Sequence, residues 1–300
     1  MLRSMSSAIS GLRNHQVYMD VVANNIANVN TAGFKTSRVN FKEAISQTGK
    51  AGSEPTAGTG GTNPVQVGLG LTLGGVDTLM SQGSLISTGK NTDLAIQGEG
   101  FFVLGTGNMT DRTTQLPPSY LTRDGAFGLD KDGYLVERVS GYYVLGFDST
   151  ATPPATTFSP VRIGKGWDAT AGKDVDWGWS SFNVGSDGKI VGVLANGTTD
   201  PDPTHQPQIG LAKYPNPEGL IKTGGNLFQS GPNAGTPVVG APGSPDTGLG
   251  GLIPGSLEAS NVDLAEQFSR MIMAQRGFQA NSRAITASDE MLQDLVNIKR

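Results

Sequence analysis

The chain has 300 residues, a formal net charge of −4 and a sequence pI near 5.2. This acidic balance argues against nucleic acid or an anionic membrane surface as a partner, because proteins that bind these concentrate Lys and Arg. The absence of cysteine excludes disulfides, thiolate zinc sites and cysteine nucleophiles.

Targeting and membrane segments are not expected. No apolar run of signal-peptide length precedes Arg13, and no run long enough to span a bilayer follows it. A cleavable general secretory signal and membrane insertion are therefore both unexpected. Glycine (43 residues) and proline (17 residues) make up a fifth of the chain, which is typical of turn-rich β structure.

The first predicted element is a helix from Ser4 to about Asn28, within an N-terminal segment of residues 1–40. Its apolar residues recur at alternating steps of four and three, which is the spacing of a coiled-coil seam. Asparagines near its end favour caps and turns, so the helix is predicted to stop before Gly33. The seam consists of Met5, Ile9, Leu12, Met19, Ala23 and Ile26, with Gln16 as its one polar position.

The middle of the chain is predicted to be β-rich. Residues 41–66 are rich in Gly, Ser, Thr and Pro and are predicted to form a linker or extended loop without secondary structure. Short strands are predicted wherever the hydrophobic period falls towards two. These strands would form one outer domain from residues 67–148 and 174–231, interrupted by a connector at 149–173 and followed by a Gly/Pro-rich linker at 232–259.

Two Asp-Gly turns are predicted to join neighbouring strands. The segment from Asp130 to Gly133 lacks the third ligand position and the closing Glu of an EF-hand, so a hairpin turn is favoured over a calcium loop. The segment from Gly185 to Gly188 is predicted to form a second hairpin turn.

The last predicted element is a long helix within residues 260–300. From Asn261 to Ile298 it would measure about 57 Å at roughly 1.5 Å per residue, with a capping box formed by Ser260 and Asp263. Its seam comprises Leu264, Phe268, Met271, Phe278, Ile285, Leu292 and Val296, with polar members at Gln275, Ser282 and Asp289. The predicted class is thus α+β, with two terminal helices forming a coiled coil around which a β-rich domain is placed. An intramolecular hairpin and self-assembly of copies would both satisfy this period.

No catalytic, cofactor-binding or metal-binding residue is predicted, and the chain is not expected to be an enzyme. His15 and His205 are the only histidines, and their spacing indicates neither a catalytic triad nor a metal cluster. Trp167, Trp177 and Trp179 leave an aromatic platform for sugar or single-stranded nucleic acid open, although aromatics without a basic groove more often pack a β core.

Four segments of the chain resemble the axial proteins of the bacterial flagellum, the family of rod and hook proteins. They are ANNIANVNTAGFK (residues 23–35), LAIQGEGFF (94–102), TRDGAFGLDKDGYLV (122–136) and SLEASNVDLAEQFSRMIMAQRGFQANSRAI (256–285). The resemblance implies terminal helices that pair as a coiled coil lining an inner tube, with the β-rich domain outside. It also implies helical stacking of copies and export of the unfolded chain by the flagellar type III apparatus.

The resemblance also implies partners and a location. The partners would be other copies of the chain, flagellar rod proteins, the hook cap, the hook–filament junction proteins and the export apparatus. The location would be the hook and basal body, outside the cell. The polymer and coiled-coil interface is expected at Met5, Ile9, Leu12, Met19, Ile26, Leu264, Phe268, Met271, Phe278, Ile285, Leu292 and Val296.

Within this family the C-terminal segments are most similar to the hook protein, a flexible tube that couples the motor and rod to the filament and transmits torque. In that interpretation residues 149–173 replace a large outer domain. The alternative is the distal rod protein, a stiff drive shaft, because rod proteins often carry a stiffening stretch where this chain has Gly49 to Gln66, and because the chain length is closer to theirs. A secreted glycan-binding or carbohydrate-active β protein is a third hypothesis.

Overall fold

The computed structural model describes residues 2–55, 58, 60–107, 118–147, 158–168, 173–202 and 205–298. The chain divides into two compact units. Unit 1 comprises Met1–Val29, Thr36–Leu79 and Val262–Arg300, and unit 2 comprises Asn30–Lys35 and Met80–Asn261. Unit 1 carries both long helices and unit 2 is built from strands, so the predicted α+β class is confirmed.

Unit 1 contains helices α1 (Leu2–Ala27) and α2 (Leu264–Ile298). The start of α2 differs from the prediction, because the helix begins three residues after Asn261. The carboxylate of Asp263 accepts the backbone N–H groups of Ala265 at 2.8 Å and Glu266 at 3.3 Å, which makes Asp263 the N-cap residue. None of the described helices combines the length and apolar character needed to cross a bilayer.

Unit 1 also contains a long two-stranded ribbon. Strand β1 (Ser37–Glu43) pairs with β4 (Leu71–Thr78), and β2 (Ser46–Lys50) pairs with β3 (Val65–Gly68). Hydrogen bonds from the Ala44 amide to the Gly70 carbonyl and from the Leu69 amide to the Ile45 carbonyl continue the ladder between the two pairs. Residues 41–66 therefore differ from the predicted structureless linker. Their strands are exposed on both faces and held by backbone hydrogen bonds, so no pattern of buried side chains marked them in the sequence.

Unit 2 is made of short antiparallel strands joined by tight turns. In chain order they are β5 (Leu85–Ser87), β6 (Leu94–Gln97), β7 (Phe101–Gly105), β8 (Pro118–Thr122), β9 (Phe127–Leu129), β10 (Leu135–Glu137), β11 (Tyr143–Phe147), β12 (Ser159–Pro160), β13 (Lys165–Asp168), β14 (Lys173–Asp176), β15 (Trp179–Val184), β16 (Ile190–Leu194), β17 (Gln208–Ile209), β18 (Leu211–Lys213), β19 (Ile221–Gly224), β20 (Leu227–Gln229), β21 (Val238–Gly240), β22 (Gly251–Pro254) and β23 (Ser256–Glu258).

Among the described residues, the main sheet of unit 2 runs in the order β19-β20-β8-β7-β11-β10-β9. Strands β12 and β17 also pair with β11, and β18 joins β7 to β21. Separate pairs are formed by β13 with β14, β15 with β16, β6 with β22 and β5 with β23. The predicted turns at Asp130–Gly133 and Gly185–Gly188 are confirmed, because Gly133 and Gly188 have positive φ and donate their amides to the first residue of each turn.

Strand β7 lies at the centre of unit 2 and separates two hydrophobic cores. Phe102 and Leu104 face the first core, and Phe101 and Val103 face the second. All four side chains are buried, which explains why this strand is apolar along its whole length and does not alternate.

Two predicted connecting segments contribute to this fold. In the predicted connector, residues 149–157 and 169–172 lie outside the described residues, but Phe158, Val161 and Ile163 are buried in the cores. The predicted linker at 232–259 supplies β21, β22 and β23. Both segments were predicted to be connections without strands because of their Gly and Pro content, but such residues are compatible with short strands that alternate with turns.

Candidate assembly surfaces and a buried ionic cluster

Helices α1 and α2 are antiparallel and contact each other along one face of each. Asn25 Nδ2 donates to Gln267 Oε1 at 3.1 Å, and both side chains are buried. A Cβ atom built on Gly277 would lie 2.5 Å from Cε1 of His15. Ten residues separate Asn25 from His15 on one helix and Gln267 from Gly277 on the other, so the two helices keep one constant register.

The register leaves the end of α2 without a match on α1. Gly11 faces Asn281 in the same register, since a Cβ on Gly11 would lie 2.5 Å from Asn281 Nδ2. Helix α1 begins at Leu2, so residues 291–298 of α2 project past it by about 12 Å, at about 1.5 Å per residue. We call these residues the α2 overhang. Its exposed apolar side chains are Met291 (49 %), Leu295 (51 %), Val296 (70 %) and Ile298 (81 %).

The contacting faces of the two helices are rich in small and polar residues. The buried positions are Ala8, Gly11, Val22, Asn25, Gln267, Ala274 and Ser288. Small side chains let the helix backbones approach closely, but they bury little apolar area. The larger apolar side chains consequently lie on other faces of the helices, where Phe268 is 52 % exposed and Ile272 is 50 % exposed.

The predicted seam residues lie beside this contact face. Among the described residues none of the twelve is fully buried: seven are half-buried and five are exposed. The half-buried residues are Met5, Leu12, Met19, Ile26, Met271, Ile285 and Leu292; the exposed ones are Ile9, Leu264, Phe268, Phe278 and Val296. The contact face of α1 was missed, although positions 8, 11, 15, 18, 22 and 25 have the same alternation of three and four. This face contains Gly, His and Asn residues, so a search for apolar residues does not find it.

The ribbon of unit 1 is anchored to α1 near one end. Asn25 and Ser37 exchange hydrogen bonds, from Asn25 Nδ2 to the Ser37 carbonyl at 2.8 Å and from the Ser37 amide to Asn25 Oδ1 at 3.0 Å. Asn14 Nδ2 donates to the carbonyl of Leu71 at 3.0 Å. The ring of Phe41 packs edge-on against Tyr18, with centroids 5.7 Å apart.

The distal part of the ribbon carries an exposed apolar face. Ile45 lies opposite Leu69, and Gln47 opposite Val67. Because side chains alternate along a strand, Ile45, Val65, Val67 and Leu69 share one face. Their exposed fractions are 80, 54, 52 and 39 %.

A buried ionic cluster lies in unit 2, formed by Lys35, Arg123 and Glu258. Lys35 Nζ lies 2.5 Å from Glu258 Oε1, and Arg123 Nη1 lies 3.1 Å from Glu258 Oε2. The three side chains are 0, 5 and 0 % exposed. The amide of Gly83 also donates to Glu258 Oε1, at 2.9 Å. Burial lowers the pKa values of Lys35 and Arg123 from their ordinary values, and the carboxylate of Glu258 opposes that shift.

The ionic cluster draws on all four segments that carry the family resemblance. Lys35 closes the first segment, Arg123 lies in the third and Glu258 in the fourth. Gly98 lies in the second, and its carbonyl accepts Arg123 Nη2 at 2.7 Å. Sequence reasoning did not bring these residues together, because their separation along the chain hides their contact.

The tryptophans that suggested a binding platform contact one another and a histidine. Trp177 stacks on His205 with centroids 4.5 Å apart and lies 5.0 Å from Trp179. Asp200 accepts Trp179 Nε1 at 2.9 Å and lies 2.8 Å from His205 Nδ1. Burial opposes the ionisation of Asp200, but these hydrogen bonds and one from a backbone amide hold its pKa below the ordinary value. The side chain of Trp167 lies outside the described residues.

The described residues contain no group of three or more His, Asp and Glu side chains that could hold a metal ion.

Models of flagellar protein families match three parts of the chain. Residues 5–35 match "Flagella basal body rod protein", residues 95–192 match "Flagellar hook protein FlgE/F/G D1 domain" and residues 253–298 match "Flagellar basal body rod FlgEFG protein C-terminal". The chain belongs to the family of flagellar hook and basal-body rod proteins. The predicted family is thus confirmed.

Individual relatives include rod and hook proteins. The chain is 46 % identical over 301 residues to the flagellar basal-body rod protein FlgG of Bacillus subtilis (strain 168), with 100 % of both chains covered. It is 36 % identical over 301 residues to FlgG of Borreliella burgdorferi, again with full coverage. The alignment with the flagellar hook protein FlgE of Borreliella burgdorferi spans 456 positions at 30 % identity and covers 100 % of both chains.

Proposed function

We propose that this protein is a structural subunit of the distal rod of the flagellar basal body, where copies assemble into a stiff tube that serves as a drive shaft. The observation that carries the proposal is its 46 % identity to the rod protein FlgG over the full length of both chains, against 30 % to a hook protein whose alignment needs 456 positions. The distal rod is therefore favoured over the hook, which the C-terminal segments had suggested.

Self-assembly follows from the apolar surface of the helix pair. Ten large apolar side chains of α1 and α2 are each between 37 and 81 % exposed: Ile9, Leu264, Phe268, Ile272, Met273, Phe278, Met291, Leu295, Val296 and Ile298. At about 100 Å² each, they leave roughly 1,000 Å² uncovered, which is about what one partner contributes to a stable interface. We infer that neighbouring copies cover this area by extending the helix pair into a coiled coil between subunits.

The α2 overhang suggests how copies meet. Its four apolar side chains have no partner helix within the described chain, whereas the opposite end of the helix pair is level and carries exposed Leu264, Phe268 and Ile272. A head-to-tail contact would place the overhang of one copy on this end of the next. Contacts of that kind generate open helical arrays, as a rod requires, when the rotation between copies does not close a ring.

The exposed apolar face of the ribbon offers a source of stiffness. An isolated two-stranded ribbon is at best marginally stable in water, so Ile45, Val65, Val67 and Leu69 require a covering surface. We propose that a neighbouring copy supplies it. A ribbon held at both ends in this way would resist the sliding of subunits that bending requires.

The proposed partners are further copies of this chain, other flagellar axial proteins and the type III export apparatus. The proposed location is the basal body outside the cell, and the proposed role is structural and not enzymatic. A glycan-binding role is not favoured, because the ring of Trp177 packs against the rings of Trp179 and His205.

Electron microscopy of the purified protein under assembly conditions tests the proposal. Straight tubes are expected. If only curved tubes form, the proposed function as the distal rod is wrong and the hook is favoured instead. A variant lacking residues 49–66 should form tubes that bend more readily, because the end of the ribbon is removed.

Two double variants test whether the apolar face of the ribbon is responsible. Ile45→Ser with Val67→Ser changes that face and should reproduce the effect of the deletion. Thr48→Ala with Gln66→Ala changes the opposite face of the same strands and serves as the matched control. Equal curvature in the two variants would contradict the proposed role of the apolar face.

Helix variants test the assembly contact itself. Polar substitution of Phe278 or Leu292 should abolish tubes while the β-rich unit 2 stays folded. Normal assembly of the double variant would contradict the proposed helix interface, and removal of either terminal helix should have the same effect as the substitutions.

A further inference from the structure

The ionic cluster fastens the two stretches of chain that lead into the terminal helices. Residues 30–35 follow α1 and residues 256–261 precede α2, and both stretches belong to unit 2 although unit 1 lies beyond them in the sequence. The amide of Gly33 donates to the carbonyl of Glu258 at 2.8 Å, so the two stretches also bond to each other directly. We refer to them as the two leads.

Other groups of unit 2 hold the leads in place. Lys222 Nζ donates to the Lys35 carbonyl at 3.1 Å, and Asn226 Nδ2 donates to the Ala32 carbonyl at 2.8 Å. On the other lead, Asn261 Nδ2 donates to the carbonyl of Ser81 at 3.2 Å. Lys35 Nζ also donates to that Ser81 carbonyl, at 2.8 Å, so one carbonyl accepts hydrogen bonds from both leads.

The charges of the cluster make this fastening depend on the carboxylate of Glu258. Two cations share one carboxylate in a site that is almost closed to solvent. Among the described residues, neither cation has a second carboxylate within salt-bridge distance. A buried ion pair is strongly destabilised when one partner is removed, because the remaining charge stays desolvated. Loss of the Glu258 carboxylate would leave the charges of Lys35 and Arg123 buried without a partner. Loss of Lys35 would leave the ion pair of Arg123 and Glu258, whose net charge is zero.

The position of the three charges along the chain gives the cluster a function. Lys35 and Glu258 are separated by 223 residues, and Arg123, which lies between them in the sequence, directly follows strand β8 of the main sheet. The site is complete only when the strands of unit 2 have brought the two leads together. We propose that Lys35, Arg123 and Glu258 form a latch that closes when unit 2 has folded and thereby fixes the points from which both terminal helices start.

The latch goes beyond the proposed rod function, because it acts within one copy before any tube forms. A copy with an open latch would keep a folded sheet but would have two loose leads, and its helices would lack a fixed origin. Closure of the latch therefore separates copies that are ready to assemble from copies that are not.

Hydrogen exchange of the unassembled full-length chain tests the latch, with mass spectrometry resolving the leads from strands β7 and β11. Glu258→Gln should accelerate exchange in both leads by about 100-fold or more, the effect expected when a buried ion pair loses one partner. Lys35→Met should accelerate it by less than about tenfold, because Arg123 and Glu258 remain paired. Lys189→Gln, which removes an exposed ion pair with Asp187 in the same unit, is the matched control and should change nothing in the leads.

The double variant Lys35→Met, Glu258→Gln separates a latch from a simple loss of packing. Because it removes one of the two unpaired cations, its leads should exchange more slowly than those of Glu258→Gln alone. Faster exchange in the double variant would overturn the latch. Acceleration that is equal in β7, β11 and the leads would also overturn it, since the cluster would then stabilise unit 2 uniformly.

If Glu258→Gln does not fold, the comparison of Lys35→Met with the control decides. Exchange in the leads must then rise above that of Lys189→Gln, and no difference between the two would refute the latch. These measurements use single copies, so tubes of unexpected curvature would contradict the rod function and leave the exchange result unchanged.

Discussion

Replacement of Phe268 by alanine should weaken assembly without weakening the folded subunit. The side chain of Phe268 is 52 % exposed on α2, outside the face that contacts α1. Alanine is the best helix former and leaves no buried cavity at an exposed position. The free energy of unfolding of the single subunit should therefore change by less than about 0.5 kcal/mol.

The expected effect on assembly follows from the area that Phe268 leaves uncovered. A phenylalanine side chain buries roughly 200 Å², so about 100 Å² of it is available to a neighbouring copy. At about 25 cal/mol per Å², and allowing for the Cβ that alanine retains, covering this area contributes about 2 kcal/mol per subunit. The critical concentration for tube formation should rise by about 30-fold, since about 1.4 kcal/mol corresponds to a factor of ten.

Sedimentation of tubes over a range of protein concentrations measures this effect, and urea unfolding of the unassembled protein measures subunit stability. Gln279→Ala is the matched control, because Gln279 is also exposed on α2 but is polar. Its critical concentration should stay within about twofold of the unchanged protein. An unchanged critical concentration for Phe268→Ala would refute the assignment of this helix face to contacts between copies.

Three further predictions concern the folded chain. Gly33→Ala should destabilise the protein by at least about 1 kcal/mol more than Gly141→Ala, as measured by urea unfolding. Both glycines have φ near +70°, but only at Gly33 would the added Cβ lie 2.5 Å from a backbone nitrogen, that of Asp124. Equal losses of stability in the two variants would contradict this reasoning. Burial raises the pKa of Asp124 above its ordinary value, so its stabilising contribution is complete below about pH 4 and is lost as the pH rises through the folded-state pKa. The free energy of unfolding of the natural chain should therefore fall relative to that of Asp124→Asn as the pH rises above about 4, and a difference that is constant with pH would show that the burial effect is absent. Asp263→Ala should cost about 1 kcal/mol of helix stability and accelerate exchange at the Ala265 amide, whereas unchanged exchange there would show that the cap does not protect the first turn.

Much of the β structure could be predicted because its local signals agree with its surroundings. The short strands of the middle of the chain were predicted from a hydrophobic period close to two, and the turn at Asp130–Gly133 has the residues that its backbone requires. The helices were also located to within about three residues at each end, since caps and terminal asparagines mark their limits.

The contact face of the helix pair could not be chosen from periodicity alone. Two stripes on α1 have the same spacing and lie side by side, one containing Ile9 and Leu12 and the other containing Gly11 and His15. A search for apolar residues selects the first stripe, but the close approach of α2 uses the small residue Gly11. Which stripe meets the partner helix depends on the fit of the two backbones, which is not a property of either helix alone.

The ionic cluster was hidden for a different reason. Each of its members looks like an ordinary surface charge in its own segment, and the sequence does not show that 223 residues of chain fold back to join Lys35 with Glu258. Long-range pairing of this kind depends on the complete topology of unit 2.

The unequal lengths of α1 and α2 make the two ends of the helix pair chemically different. One end is level and the other presents the protruding α2 overhang. Any column of copies stacked along these helices in one orientation is consequently polar, with the α2 overhang at one extremity and the level end, from which both leads continue, at the other. Subunits arriving at the two extremities meet different surfaces, so growth can proceed at one of them while the other remains anchored.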